Sequence, residues 1–584
     1  MKMIFEWILI WCFLHGSIAF QQQVRKKPHI ITIIADDLGW NDVGFHGSNQ
    51  IPTPNIDALA YNGRILNRHY TQPICTPSRA SLLTGRYPIR YGLQGPPIYT
   101  RVRIGLPLDE KTLPQYLKEL GYVTRLVGKW HLGYYQNDFT PLNRGFDSHF
   151  GYYNGWTRYN DSILTVDDVW GYDARDNYNH AGDRFRGRYA TDVFTEEAVN
   201  IIKKHDTSEP LFLDLSHLAV HAIVGDILLV KNQTENDEKF SYIKDPHRRL
   251  FAGILTELDK SVGKVIAALN EKKMLENSII LFMSDNGGAT EDNNERASFK
   301  NSASNWPLRG WKSSVTEGGV RGVATIWSPL INATSHSVSN EIIHITDWLP
   351  TFYAAAGGNV EKLGEIDGVN QWPYLTGERN SSARKEVLIN INEVTNDSAI
   401  IIDDWKYIRL NESTPKRYEG ARGRDNSHPY NMEQVLQSKT HTVLNKFSSN
   451  TFDSVKQFAS LRLRSTIDDK CWERIEVVEK TEYSANLRCF QTGCLFNIKN
   501  DPCEFTDLSE NEPNLISKFQ SKMHLYRRQL VPQQKASADP DCDPRKYHDY
   551  WSPWVESDGS VGSSSSNVVM IFVAGLVLFL FNHV

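Results

Sequence analysis

His29-Ile-Ile-Thr-Ile-Ile34-Ala-Asp36-Asp37 is a run of mostly β-branched apolar residues that stops abruptly at two carboxylates. A β-branched run this apolar, with no regular alternation of polar residues, predicts a strand covered on both faces. The pattern recurs along the chain. Leu113 to Leu120 predicts a helix ended by Gly121, and Tyr122 to Val127 the next strand. Thr191 to His205 reads as a helix and Leu211 to Leu215 as a strand. Arg248 to Asn270 reads as a long amphipathic helix, and Ser278 to Met283 as a strand running into Ser284-Asp285-Asn286-Gly-Gly288. Such alternation argues an α/β domain whose mostly parallel sheet has helices on both faces. Ligands of these sheets bind beyond the carboxyl ends of the strands. Asp36-Asp37 and Asp285-Asn286 both lie at such ends.

After about Thr376 the texture changes. Val387 to Ile391 and Ala399 to Leu410 read as strands, the second broken by an Asp-Asp-Trp turn, and helical patterns thin out. This predicts a smaller C-terminal antiparallel sheet. We expect a catalytic domain over 28–377, a C-terminal subdomain over 378–545 and a linker over 546–567. No internal repeat is present. The 584 residues carry a net charge of −5 with no basic stripe, which excludes a nucleic-acid partner as the natural reading.

Both ends read as addresses. Residues 1–19 combine an early Lys, an apolar run and small residues at Ser17 and Ala19, the pattern of a secretory signal peptide, with an uncleaved anchor as the alternative. Val568 to Phe581 is apolar apart from Gly575, has no Lys or Arg after it, and follows a Gly/Ser-rich spacer. That predicts a GPI-attachment signal over 568–584, with Ser557, Asp558 and Gly559 as candidate attachment sites and a transmembrane tail as the alternative. The expected location is the cell surface; secreted or lysosomal protein is the alternative. Six sequons, at Asn160, Asn232, Asn332, Asn380, Asn396 and Asn411, fit that route. Of seven cysteines, Cys12 leaves with the signal peptide, and five cluster at Cys471, Cys489, Cys494, Cys503 and Cys542. In an oxidising compartment these mostly pair. Closeness in sequence suggests Cys494–Cys503 and Cys471–Cys489, leaving Cys542 over.

The seventh is Cys75, which opens Cys75-Thr-Pro-Ser-Arg79-Ala-Ser-Leu-Leu-Thr-Gly-Arg86. This stretch resembles the sulfatase signature C-x-P-S-R-x-x-x-L-T-G-R at all eight fixed positions. Gly128-Lys-Trp-His-Leu-Gly133, Asn143-Arg-Gly-Phe-Asp147 and Asn305-Trp-Pro-Leu-Arg-Gly310, leading to Glu317-Gly-Gly-Val-Arg-Gly322, extend the resemblance. It covers roughly Pro28 to Leu508 and is closest to the arylsulfatase B (N-acetylgalactosamine-4-sulfatase) type. It implies a large alkaline-phosphatase-like domain and hydrolysis of a sulfate monoester: a sulfated sugar, a glycosaminoglycan or a small metabolite. It further implies that a formylglycine-generating enzyme converts Cys75 during synthesis. One hydroxyl of the hydrated aldehyde attacks the ester, and the second ejects sulfate and restores the aldehyde.

The resemblance also assigns ligands and roles. Asp36, Asp37, Asp285 and Asn286, with the modified Cys75, are the expected ligands of one Ca²⁺, and their oxygen donors suit a hard cation. Arg79 holds the hydrate, Lys129 binds it and the sulfate, and His131 helps remove the proton that ejects sulfate. His221 and Lys312 contact sulfate and protonate the leaving oxygen. Two segments depart from the family pattern: Ala222-Ile-Val-Gly225 after His221, and Ser313-Ser-Val-Thr316 after Lys312. Both flank the expected leaving-group pocket, so inherited sugar specificity does not follow. The Tyr- and Trp-rich stretch from His149 to Tyr178 offers rings to stack on a sugar, or a surface loop. Two rivals remain: a phosphatase or phosphodiesterase of the same superfold, against which Cys75 and the single oxygen-donor set argue, and a non-catalytic surface protein that binds sulfated glycans.

Overall fold

A computed structural model describes residues 26–225, 227–290, 300–411, 428–447, 454–467, 489–490 and 492–556. The expected signal peptide, the apolar tail with its attachment sites, and Cys471 lie outside these residues.

Fourteen strands carry the argument: β1 (His29–Ala35), β2 (Arg64–Leu66), β3 (Val123–Lys129), β4 (Ser148–Tyr152), β5 (Arg175–Asp176), β6 (Asn179–His180), β7 (Leu211–Ser216), β8 (Ser278–Ser284), β9 (Ala324–Trp327), β10 (Ser337–Ser339), β11 (Glu386–Ile391), β12 (Ser398–Ile402), β13 (Trp405–Arg409) and β14 (Cys494–Asn497). The first ten form one sheet in the order β10-β2-β9-β8-β1-β7-β3-β4-β5-β6. Its middle, β8-β1-β7-β3-β4, is parallel throughout, with Ile31 beside both Ile280 and Leu213. All seven residues of β1 are buried, which explains its continuous apolar text.

Helices flank this sheet: α1 (Pro54–Asn62), α2 (Cys75–Thr84), α3 (Leu113–Glu119), α4 (Ala190–Lys204) and α5 (Pro246–Glu271). α1, α4 and α5 pack together, and α2 packs on α3. α5 begins where Asp245 accepts a hydrogen bond from Arg248 N at 3.1 Å, a side-chain N-cap, with Pro246 at its first position. Its buried stripe runs through Phe251, Leu255, Leu258, Val262, Val265 and Leu269, the spacing of one helix face.

The last four strands form the small antiparallel sheet β11-β12-β13-β14. Its two faces alternate with the strand period. Leu388, Ile400, Tyr407 and Leu495 meet Phe519 and Met523 of a further helix, α6 (Pro513–Arg528). Val387, Ile389, Ile401 and Ile408 pack with Tyr70, Val315 and Val320 beside the large sheet. Helices therefore do not thin out after Thr376, and α6 forms one wall of the subdomain.

The cysteine pairing differs from expectation. Cys489 bonds to Cys494, not to Cys471, with Cα atoms 4.7 Å apart, so Cys494 is not joined to Cys503. The chain doubles back there: the Cys489 carbonyl accepts Leu410 N at 2.9 Å, while Cys494 begins β14 beside Ile408. Cys503 is itself disulfide-bonded, and Cys542 is a buried free thiol.

Residues 531–556 do not lead away from the body. They return to the catalytic domain as a strap, and Trp551 is fully buried. Val531 N bonds to Ile89 O at 2.8 Å, Gln534 N to Gly92 O at 2.9 Å and Asp539 N to Arg101 O at 2.7 Å. Trp554 N and Val555 N reach Tyr135 O at 3.0 and 2.9 Å. No helix among the described residues is long and apolar enough to cross a membrane.

Candidate active site

Four parallel strands end side by side and deliver most of the polar cluster. β1 runs into Asp36 and Asp37, β8 into Asp285 and Asn286, β3 into Lys129 and His131, and β7 into His221. Cys75 is the first residue of α2, at the positive end of the helix dipole. Arg79 follows one turn later on the same face. Lys312 comes from the long loop after β8. The structure thus brings together every candidate named from the sequence.

The contacts are short and almost fully buried. Lys129 Nζ donates to Asp36 Oδ2 at 2.6 Å. Arg79 donates through Nε and a terminal nitrogen to Asp285 Oδ2, at 3.1 and 2.9 Å. Lys312 Nζ donates to Asp37 Oδ2 at 2.7 Å and lies 3.2 Å from His221 Nε2. Asn286 Nδ2 donates to Asp37 Oδ1 at 2.8 Å. Asp37 and His131 both adopt left-handed backbone, with φ of 62° and 60°. Such φ values in non-glycine residues concentrate at functional sites, where surrounding contacts hold them.

Electrostatics follow from burial. Desolvation raises the Asp285 carboxyl, with Asp36 adding to the rise and Arg79 opposing it. Burial pushes the Cys75 thiol up, against the pull of Lys129 and Lys312. Desolvation and the neighbouring lysines drive both His131 and His221 well below their ordinary value, so both rings are neutral. His221 Nδ1 bonds to Ala222 O, which only accepts, so its hydrogen sits on Nδ1 and Nε2 is an acceptor. His131 is the reverse: Nε2 faces Ile98 O at 3.0 Å, leaving Nδ1 as an acceptor without a partner.

Three acids and three cations balance in this pocket, yet two buried oxygens stay unpaired, Asp36 Oδ1 and Asn286 Oδ1. Buried acceptors without donors are costly. Together with the Asp37 and Asp285 carboxylates, they make a donor set that fits a hard cation. The Asp36, Asp37 and His221 donor atoms also lie within 4.8 Å of one another, which adds one imidazole to the possible ligands.

Several supporting groups gave no signal in the sequence. Thr76 Oγ1 accepts from Ile98 N and donates to His131 O, both at 3.1 Å, tying the residue after Cys75 to the His131 loop. Asn301 Nδ2 holds the carbonyls of Asp37 and Val220, at 3.1 and 3.0 Å. Tyr159, in the aromatic stretch, donates to His221 O at 2.9 Å. Most rings of that stretch, including Tyr152, Tyr153 and Trp156, are buried; Trp170 and Tyr178 are exposed.

Comparison with known proteins converges on this cluster. Residues 28–358 match the family model Sulfatase. Arylsulfatase J of Mus musculus is 34% identical over 545 residues, covering 92% of this chain and 82% of that protein. N-acetylgalactosamine-6-sulfatase of Homo sapiens is 33% identical over 367 residues, covering 60% of this chain and 66% of that protein. Among solved structures, Ps i-CgsB in complex with k-i-k-neocarrahexaose superposes with a TM-score of 0.64 at 27% identity, over 88% of this chain and 95% of that one. The matched region holds every residue of the polar cluster, and on these grounds the chain belongs to the sulfatase family, whose members are sulfuric ester hydrolases.

Proposed function

We propose that this enzyme hydrolyses sulfate monoesters of a glycan, using formylglycine made from Cys75 and one Ca²⁺. The observation that carries the reading is the meeting of Cys75, three buried cations and an under-donated oxygen cluster at the strand ends. Asp36, Asp37, Asp285 and Asn286 are the residues that would hold the cation, which supplies positive charge for the sulfate and lowers the pKa of the attacking hydroxyl. Formylglycine supplies, through its hydrate, a hydroxyl nucleophile and a built-in route of release.

The chain's own residues do the rest. Arg79, Lys129 and Lys312 present fixed positive charge to a permanently anionic sulfate ester in a water-poor pocket, where such charges act strongly. Lys312, with His221 Nε2 beside it, is placed to protonate the departing alcohol oxygen. His131 Nδ1 is the free acceptor placed to take the proton whose loss ejects sulfate. Sulfated glycan is the favoured class because Ps i-CgsB is solved with a carrageenan-type oligosaccharide and a curated relative is an N-acetylgalactosamine-6-sulfatase. Exposed sequons at Asn160, Asn232, Asn380 and Asn396 support a glycosylated protein of the secretory route, and the small-residue, spacer and apolar-tail pattern of the sequence supports a GPI tether. Cys75 is only 2% exposed, so its conversion belongs to the unfolded chain during synthesis.

The test is a mass spectrum of the tryptic peptide His69–Arg79 from protein made in a secretory host. Formylglycine reads about 18 Da below the cysteine form. Unmodified cysteine, in a host that converts a control sulfatase, would sink the reading.

A further inference from the structure

We propose that Lys406, on β13 of the small sheet, is a positioning residue for Lys312, acting through a buried ion cluster that clamps the loop carrying it. The proposal rests on the reading of Lys312 as a group that meets the sulfate ester.

The loop from Arg309 to Glu317 is held at both ends by one carboxylate from the C-terminal subdomain. Glu504 Oε2 accepts Glu317 N at 3.1 Å and lies 3.4 Å from Arg309 Nε. Gly318 N closes the loop on Arg309 O at 2.7 Å. Lys406 Nζ sits between the two acids, 2.8 Å from Glu317 Oε1 and 2.9 Å from Glu504 Oε1, with all three side chains at 0% exposure. Tyr70 OH at 3.0 Å and Arg321 at 3.5 Å occupy the other oxygen of Glu317. Lys406 and Arg321 outweigh the desolvation that would raise the Glu317 carboxyl and hold it below its ordinary value.

From this clamp, backbone bonds run directly to the site. Gly287 N, next to Asn286, donates to Gly319 O at 2.9 Å. Lys312 N donates to Gly288 O at 3.1 Å, and Ser313 N to Pro73 O, two residues before Cys75, at 2.6 Å. The turn Glu317–Val320 therefore meets the segment that bears Asn286, and the loop that it closes bonds to the segments that bear Asn286 and Cys75. Stability does not require such a cluster, since apolar residues of similar volume often replace buried ion pairs at no loss. What charge and direction add is a fixed orientation. An ammonium between two carboxylates sets where the loop ends, and so where Lys312 Nζ meets Asp37 and His221.

The experiment compares Lys406→Met, Lys406→Met/Glu504→Gln, Ile401→Ala and Lys312→Ala in the full-length converted enzyme, by melting temperature, kcat, KM and inhibition by inorganic sulfate. The double variant removes one cation and one carboxylate, so the charge balance of the cluster is kept and the fold with it. Ile401 packs on the same face of the same sheet and reports plain destabilisation. Misplacement by about 1 Å can cost ~100-fold in rate. The expected result is a kcat loss of that order in both Lys406 variants, sulfate inhibition weakened as in Lys312→Ala, and unchanged kcat in Ile401→Ala. Wild-type kcat in the double variant, or an equal kcat loss in Ile401→Ala at the same melting temperature, overturns the positioning role and leaves the proposed function standing. Full activity in Lys312→Ala overturns the functional reading itself.

Discussion

His131 and His221 flank the cluster with opposite hydrogen placements, and the roles proposed for them rest on that difference. Each is neutral, each is pinned through one nitrogen by a carbonyl, and each keeps the other nitrogen as an acceptor. Replacing either by Ala is expected to lower kcat by roughly 10²–10⁴-fold, the range of a lost general acid or base, with the melting temperature nearly unchanged. Cys75→Ala is expected to abolish turnover in an assay of sulfate release and leave the circular dichroism melt intact. For the cation, EGTA is expected to lower both activity and melting temperature, and added Ca²⁺ to restore both, because ligand bound only by the native state stabilises it by mass action. The ten candidate site residues could be named because each sits in a short segment that resembles the sulfatase pattern, and the structure brings all ten together. Ile98 could not be named, because its contribution is a backbone N–H and C=O that no side-chain pattern marks.

Helices and strands of the core were legible where one period ruled. β1, α4 and α5 start and stop within about two residues of their sequence limits, an ordinary disagreement for boundaries. The C-terminal elements were less so. α6 was hidden because its apolar stripe is short, and the Cys489–Cys494 bond because proximity in space was set by the turn into β14. One prediction belongs here. Asp259 of α5 accepts Asn55 N and Ile56 N, both at 2.9 Å, and so binds α5 to the start of α1. Burial lifts its carboxyl to about 7, against the pull of those donors. A folded value above the unfolded one means the contribution is present below about pH 4 and is lost as pH rises towards about 7. Melting curves of Asp259→Asn and wild type are expected to diverge across that window, with the variant gaining relative to wild type as pH rises. Parallel curves would refute the assignment.

Across the molecule, the small sheet and the strap each hold a segment that supports the polar cluster. The small sheet presses on the loop of Lys312 from one flank. The strap grips Ile89 to Arg101 from the other, and Ile98 in that segment holds His131. A chain ending after Arg528 is expected to lose activity and to expose the face that Trp551 covers, read as increased binding of a hydrophobic dye. Phospholipase C specific for phosphatidylinositol is expected to release the protein from intact cells. Retention after that treatment, with secretion once 568–584 is deleted, favours a transmembrane tail. The strap stays fastened to Tyr135 as far as Val555. Were a glycolipid carried by Ser557, Asp558 or Gly559, as the sequence suggests, only two to four residues would part it from Val555. The strap would then keep the catalytic pocket close to its own bilayer, and esters rooted in the same cell's coat would lie nearer to it than those on a neighbour.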